Sequence, residues 1–258
     1  MNKRIYYSIL IVILAILVVS CEKEAYIIGG EINETNKVNM TTFDFLKSLD
    51  ETKNTAILFE RAGLKDVVNG DVTIVAPGQW AINRYLQRKN NQAWRVNPNT
   101  PELTMDDISS TELEQMKMYI LPDKLWSQTI PEGGLYVTAL DGTEVLIDCK
   151  ETYIDPGCAW DGGGGPGRGY QYSNFLEQIP RIVHVHYKRG NNWELTGEQR
   201  TSLGYDNPEC DQMYRMYLSD VITTTGVVHI LYQGDYNYTE HYYYHSLFFF
   251  GVRTDDRL

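Results

Sequence analysis

Two pairs of histidines have a spacing that could bind a metal ion or transfer protons. His184 and His186 lie two residues apart in Ile182–Tyr187, an apolar run that predicts a β-strand, so their side chains share one face of it. His241 and His245 lie four residues apart near the C-terminus. A metal site needs a third or fourth ligand, and the sequence identifies none. We therefore expect no metal and no cofactor, and interpret these histidines as solvated or interface residues.

The sequence lacks the common catalytic motifs. It has no Gly-x-Ser-x-Gly elbow, no His-Glu-x-x-His and no P-loop, and the Gly-rich stretch 162–167 lacks the Lys-Ser/Thr pair of a phosphate-binding loop. Carboxylates are numerous, so counting them does not exclude a pair suited to glycoside hydrolysis. We predict no catalytic residues and a non-enzymatic protein, with an exported polysaccharide-acting hydrolase as the alternative.

The N-terminus carries the most specific chemical signal. A basic stretch at 2–4 precedes an almost wholly apolar run over 5–19, followed by Ser20 and Cys21. A short basic region before a brief apolar run is typical of a secretory signal peptide, and the residues before Cys21 resemble a bacterial lipobox. We predict a signal peptide over 1–20, a lipidated Cys21 bearing palmitate-type chains, and a tether over 21–40. Several acyl chains give stable anchoring. Glu22-Lys23-Glu24, with no Asp directly after Cys21, resembles the surface-export signal of lipoproteins, so we expect an outer-membrane lipoprotein exposed at the cell surface.

Three further cysteines remain, and export permits disulfides. Cys149, Cys158 and Cys210 allow one intrachain bridge with one cysteine left over. A Cys149–Cys158 bridge would span a turn-like segment, whereas Cys158–Cys210 would close a longer loop. Three buried thiols are the third alternative, and the sequence does not choose among them.

Composition limits the partners. The chain has 34 acidic and 23 basic residues, and its basic residues show no cluster in the linear sequence. Phosphate contacts come from Lys and Arg, so we expect no nucleic-acid binding and no membrane contact besides the lipid. Tyrosine is abundant at 19 residues, and aromatic rings offer a flat apolar face with a polar tip. The candidate ligand-binding aromatics are Trp160, Tyr170, Tyr172, Trp193, Tyr242, Tyr243 and Tyr244.

Local patterns predict an α+β protein. Residues 42–68 have an apolar helical stripe, Val72–Ala76 predicts a strand ended by Pro77, Trp80–Leu86 predicts a helix, and 88–108 is expected to be a loop. Thr111–Glu114 is a candidate capping box. Asp141-Gly142 predicts a type I′ turn in a hairpin over 135–147. Strands are expected at Leu218–Thr223, Val227–Leu231 and Tyr242–Val252, with Gly226 allowing a positive φ at the turn between the first two.

Three ordered blocks resemble the fasciclin (FAS1) family. They are Phe43–Leu46 with Ala62–Leu64; Val72–Pro77 with Trp80-Ala81; and Ser219–Val221 with Gly226–Ile230. The resemblance implies family-motif core positions at Pro77, Tyr119, Gly226 and His229, although Ile120 and Gly78-Gln79 depart from the family pattern. His229, in a β-branched run, is interpreted as a core histidine bonded through its ring nitrogens.

The resemblance also implies a fold and a function. The fold is a β-sandwich or wedge with a helical layer, one domain over 41–252 with insertions at about 88–108 and 150–212 and a tail at 253–258. The function is adhesion or binding of a glycan, peptide or protein partner. The charged stretch Glu22-Lys23-Glu24 separately suggests an accessory to an outer-membrane nutrient importer. A structural docking subunit of an outer-membrane complex is a further alternative.

Overall fold

The computed structural model describes residues 36–151, 181–188, 190–193 and 211–231, with the single positions 195, 199 and 202. The lipidation site Cys21, Cys158 and Cys210 lie outside these residues, as do His241, His245 and the strand expected at Tyr242–Val252. Six of the candidate aromatics also lie outside them: Trp160, Tyr170, Tyr172, Tyr242, Tyr243 and Tyr244. Within the described part of the chain, no helix is long and apolar enough to cross a bilayer.

Three short helices open the described structure: α1 (Thr42–Ser48), α2 (Lys53–Arg61) and α3 (Lys65–Val68). Thr41 begins α1 by accepting a hydrogen bond from the Asp44 amide through its side chain, because the first amides of a helix lack partners within the helix. Most apolar residues of these helices are buried in the main core, although Val67 on α3 is exposed. The helical pattern expected over 42–68 is therefore confirmed, divided into three segments.

Strand β1 (Val72–Ala76) leads into α4 (Gln79–Val96). The helix runs ten residues beyond Leu86, so the expectation of a loop from residue 88 is wrong over 88–96. Asn90 accounts for the error: its polar side chain predicts a loop, but in the structure it is buried and hydrogen-bonded to both backbone groups of Leu103. These two bonds hold the segment after α4 against the helix.

A capped helical segment precedes the second strand. A 3-10 turn (Met105–Asp107), α5 (Ser110–Leu113) and a 3-10 helix (Glu114–Tyr119) lead into β2 (Ile120–Pro122). The capping box joins Ser109 and Glu112, two residues before the predicted Thr111–Glu114. Ser109 has the extended backbone that an N-cap requires, so the helix begins earlier than predicted.

Strands β3 (Leu135–Thr138) and β4 (Glu144–Glu151) form the expected hairpin. Its turn is not type I′, because Gly142 has φ of 94° whereas Asp141 has no positive φ. The Gly142 amide donates to the Ala139 carbonyl, and the Ala139 amide donates to the Thr143 carbonyl. This is a three-residue loop with a glycine bulge, in which only one residue needs a left-handed backbone.

Strands β5 (Arg181–Tyr187), β6 (Gln212–Ile222) and β7 (Val227–Leu231) complete a sheet that has seven strands in the described part of the chain, in the order β2-β1-β7-β6-β5-β4-β3. β1 and β7 are parallel, and the other neighbours are antiparallel. The register of β6 against β7 shifts twice, and such bulges bend a strand. The Leu140 amide, just after β3, donates to the Ile120 carbonyl in β2 at 3.0 Å. The sheet therefore folds over until its two outermost strands meet, as in a wedge, and the fold is α+β.

The chain enters the sheet beside the β6–β7 turn. Lys37 forms a parallel bridge with Ile222, and the Val38 amide donates to the Ile222 carbonyl at 2.9 Å. The Met40 carbonyl accepts from both the amide and the hydroxyl of Thr224. These contacts join the start of the described chain to the turn between the last two strands.

Gly226, in that turn, does not have the positive φ that the sequence predicts. The position has no room for a side chain, because a Cβ there would lie 2.6 Å from the Val72 carbonyl oxygen and 3.0 Å from the Thr42 hydroxyl. A glycine is needed because β1 and α1 approach its backbone closely.

Candidate functional site

Strands β4 and β5 have two faces of different character, because successive side chains on a strand point in opposite directions. One face packs into the main core through Val145, Ile147, Cys149, Val183, Val185 and Tyr187. The other, here the second face, consists of Tyr136 and Thr138 on β3, Glu144, Leu146 and Asp148 on β4, and His184, His186 and the following Lys188 on β5. Polar and aromatic groups that the core does not use are thus collected on one side of the sheet.

Three titratable side chains meet at the buried end of the second face. Asp148 pairs with His184 across the strands, and their nearest atoms, Oδ1 and Nδ1, are 3.4 Å apart. Oδ2 of Asp148 lies 3.0 Å from Nε2 of His186. All three side chains are buried, so the interpretation of the strand histidines as solvated residues is wrong. A buried carboxylate is costly unless a cation or hydrogen-bond donor compensates it, and the two imidazoles supply that compensation.

Asp148 and the two histidines form a compact buried cluster. No three His, Cys, Asp or Glu residues in the described part of the chain are placed to hold a metal ion together. Asp148 lies between the two imidazoles and contacts each of them. The cluster joins β4 to β5 through side chains in addition to the pairing of their backbones.

An aromatic patch lies at the open end of the same face, formed by Tyr136, Trp193, Lys188 and Glu144. The rings of Tyr136 and Trp193 meet edge to face, with centroids 5.4 Å apart and planes at 66°. Nζ of Lys188 lies 5.8 Å from the Trp193 ring centroid and also pairs with the Glu144 carboxylate. The side chain of Tyr136 is 56% exposed. The patch offers ring surface beside a cation and an anion, which suits a ligand with apolar faces and hydroxyl groups.

The sequence identified one of these residues, Trp193, as a candidate. Tyr136 was missed, although a signal was present: it alternates with Leu135 and Val137, which contribute to the core, so it must point away from it. Cys149 is buried on the core face. Its disulfide pairing stays a prediction, because Cys158 and Cys210 lie outside the described residues.

The family-motif positions lie in the other half of the sheet. The Pro77 carbonyl accepts a hydrogen bond from the Thr55 hydroxyl at 2.6 Å, and Tyr119 is fully buried. These residues and Gly226 join helices to strands β1 and β7, and they are separated in the sheet from the second face by β6.

His229 on β7 is fully buried with a partner at each ring nitrogen. Nδ1 accepts from the Asp220 amide at 3.1 Å, and Nε2 donates to the Leu125 carbonyl oxygen at 2.8 Å. This pattern is that of the neutral ring. Burial lowers the pKa of His229, while the Asp220 carboxylate and the bond to Leu125 act in the opposite direction.

Comparison with known proteins gives little further information. No protein-family model matches the chain, and no curated protein sequence matches it. Among solved structures, one match is a FAS1 domain pair from the insect cell adhesion molecule fasciclin I, described as a novel fold, at 15% identity and a TM-score of 0.32. The match covers 73% of this chain and 42% of that one. That domain pair belongs to the family that the sequence blocks resemble.

Proposed function

We propose that the protein is a lipid-anchored binding module of the cell envelope that holds a glycan through the aromatic patch. The observation that carries this proposal is the exposed Tyr136 ring, set edge to face against Trp193 beside Lys188 and Glu144. Aromatic rings stack on the apolar faces of sugars, and neighbouring charged groups hydrogen-bond to the hydroxyls.

The patch is held in place before any ligand arrives. Tyr136 lies on β3, which is paired over four residues with β4. Glu144 begins β4, and the Lys188 amide donates to the Glu144 carbonyl oxygen at 3.0 Å. Groups fixed by strand pairing lose little freedom on binding, which favours affinity for a weakly interacting ligand such as a sugar.

The anchor is the part of the proposal that the sequence supports. Cys21 follows a basic and then an apolar stretch, which is the order of a lipoprotein signal. Mass spectrometry of the mature protein should find an acylated N-terminal Cys21. A chain still beginning at Met1 would contradict the anchor without affecting the patch, and protease treatment of intact cells would show on which side the domain lies.

The patch is tested by glycan-array and pull-down measurements on the mature protein. Tyr136→Ala and Trp193→Ala should each weaken glycan binding about tenfold, as expected for loss of one stacked ring. Tyr136→Phe keeps the ring and should bind within about twofold. Val67→Ala, an exposed apolar residue on α3, is the control for general effects of truncation. Binding that survives both alanine variants would contradict the proposal.

A hydrolase is the alternative with a specific observation in its favour, the contact between Asp148 and His186. Such a pair can transfer protons, but both side chains are 1% exposed and do not reach a substrate in this conformation. Turnover of a polysaccharide that is lost in Asp148→Asn, while the variant stays folded, would favour the hydrolase. Co-purification of a stoichiometric protein neighbour without glycan affinity would favour a docking subunit.

A further inference from the structure

Helix α4 is basic in an otherwise acidic protein. Between Gln79 and Val96 it carries Arg84, Arg88, Lys89 and Arg95 and no Asp or Glu, whereas the whole chain has a net charge of −11. The linear sequence hides this feature, because residues 88–96 look like a polar loop. Only the continuation of the helix to Val96 places these side chains on one regular surface.

Most of this charge lies along one stripe of the helix. At about 100° per residue, Trp80, Arg84, Arg88, Asn91 and Arg95 fall within one sector of about 80°, in which Asn91 and Arg95 are exposed and the other three half-buried. We call this set the basic stripe. A rise of about 1.5 Å per residue makes it about 22 Å long and separates Arg84 from Arg95 by about 16 Å along the axis. One extended ligand can therefore contact both ends.

Lys89 is not part of the stripe. It points toward α5, where Nζ lies 2.7 Å from a carboxylate oxygen of Glu112. Lys89 therefore supports the packing of α4 against α5, and the arginines of the stripe can be mutated without disturbing it.

Two arginines of the stripe are available for a ligand. Arg84 lies over the Trp80 ring, 5.1 Å from its centroid, and donates to Gln87 at 3.2 Å. Arg95 is exposed in the last turn. Within the described part of the chain, neither guanidinium forms an ion pair with a carboxylate. Trp94 borders the stripe, 37% exposed, with its indole N–H donating to the Thr100 carbonyl oxygen.

We propose that the basic stripe binds an acidic polysaccharide, a glycan that carries carboxylate or sulfate groups. A guanidinium binds such groups with two parallel hydrogen bonds, and the indole of Trp94 offers a flat surface to a sugar ring. The chain as a whole is acidic, so charge complementarity favours this helix, which has no Asp or Glu, as the place where a polyanion binds.

The side chains of the stripe favour a polysaccharide over a lipid bilayer. A helix that lies in a membrane interface buries an apolar face about 5–10 Å deep. Here the stripe contains Asn91, Trp80 is half-buried under Arg84, and the Trp94 ring is held by its bond to Thr100. Val96, the most exposed apolar side chain of the helix, lies off the stripe. The surface is therefore built for hydrogen bonding.

The proposal is tested by calorimetry with the full mature protein, using polygalacturonate and heparin as acidic probes and dextran as the neutral one. The double variant Arg84→Gln/Arg95→Gln should bind the acidic probes at least about tenfold more weakly at about 0.15 M salt, where screening extends over about 8 Å. Arg88 stays unchanged in the test, because its Nε is buried. Raising the salt concentration should weaken the wild type more than the variant.

The matched control is Lys47→Gln/Lys53→Gln, which removes the same charge from α1 and α2. It should change affinity less than about twofold, since general electrostatics at this distance are screened. Equal losses in both double variants would overturn the proposal, and so would equal binding of dextran. Binding to anionic phosphatidylglycerol vesicles without binding to either acidic polysaccharide would also overturn it, in favour of a membrane surface. Tyr136→Ala should leave the acidic probes bound, so failure of the aromatic patch is distinguishable from failure of the stripe.

Discussion

Glu112 is the carboxylate on which the attachment of α4 to α5 depends. It accepts hydrogen bonds from the Tyr85 hydroxyl, from Nζ of Lys89 at 2.7 Å, and from the amide and hydroxyl of Ser109 at 2.9 and 2.7 Å. Partial burial by itself would raise the pKa of Glu112, but bonds from Lys89, Tyr85 and Ser109 outweigh it and lower the pKa to about 2. We predict that Glu112→Gln destabilises the protein, because an amide accepts these bonds more weakly.

The magnitude follows from the pKa shift. The change from 4.5 to about 2 corresponds to about 3 kcal/mol at about 1.4 kcal/mol per unit. Glu112 is 21% exposed and its partner Lys89 is 42% exposed, so solvent screening reduces the expected effect to about 1–2 kcal/mol. A carboxylate with a lowered folded-state pKa stabilises above its unfolded value of 4.5. That contribution is lost as the pH falls from about 5 toward 2.

Urea unfolding followed by tryptophan fluorescence gives the test. Wild type and Glu112→Gln should differ by about 1–2 kcal/mol at pH near 7, and the difference should shrink as the pH approaches about 3. Glu114→Gln is the matched control: Glu114 is 61% exposed and pairs with Lys117 alone among the described residues, so it should cost less than about 0.5 kcal/mol. A Glu112→Gln deficit that is the same at both pH values would refute the electrostatic reasoning.

Three further predictions concern the core and the buried cluster. Gly226→Ala should lower the free energy of unfolding by about 2–3 kcal/mol, because its Cβ would lie 2.6 Å from the Val72 carbonyl oxygen. Gly133→Ala is the control and should be nearly neutral, because a Cβ there meets nothing within 4 Å. Equal melting temperatures of the two variants would contradict this account. His229→Asn should be less stable than the wild type at neutral pH. Because burial lowers the pKa of His229 in the folded protein, the wild type should lose stability as the pH drops below about 6.5, whereas the variant should lose less. Parallel pH profiles of the two proteins in urea unfolding would count against this account. Asp148→Asn should cost about 2 kcal/mol, because Nε2 of the buried His186 loses its charged hydrogen-bond partner; a variant as stable as the wild type would show that this contact contributes nothing to stability.

The strands were largely predictable from the sequence, since β-branched and apolar alternation is local. Val72–Ala76, Arg181–Tyr187 and Val227–Leu231 lie where their apolar runs predict them. The full length of α4 was not predictable, because Asn90 favours a loop until the tertiary bonds to Leu103 satisfy it. A local propensity is thus reversed by a partner thirteen residues away.

The buried cluster of Asp148, His184 and His186 was only partly predictable, because it depends on both local and non-local pairing. That His184 and His186 share a face follows from the strand period alone. That Asp148 lies between them depends on the register of β4 against β5. No short turn joins those two strands, so the sequence did not fix which residues pair. The basic stripe was not predictable either, because it depends on the continuation of α4 to Val96, which the local sequence pattern does not indicate.

The contacts of residues 37–42 with the β6–β7 turn determine how the fold carries mechanical load. The bridge from Lys37 to Ile222 is parallel, so a pull on the preceding chain runs along the paired segments and stretches their hydrogen bonds together instead of one at a time. Thr224 adds two bonds to Met40 at the far end of this junction. A pull applied ahead of residue 37 would therefore be resisted by a set of bonds in parallel before the force reached the sheet.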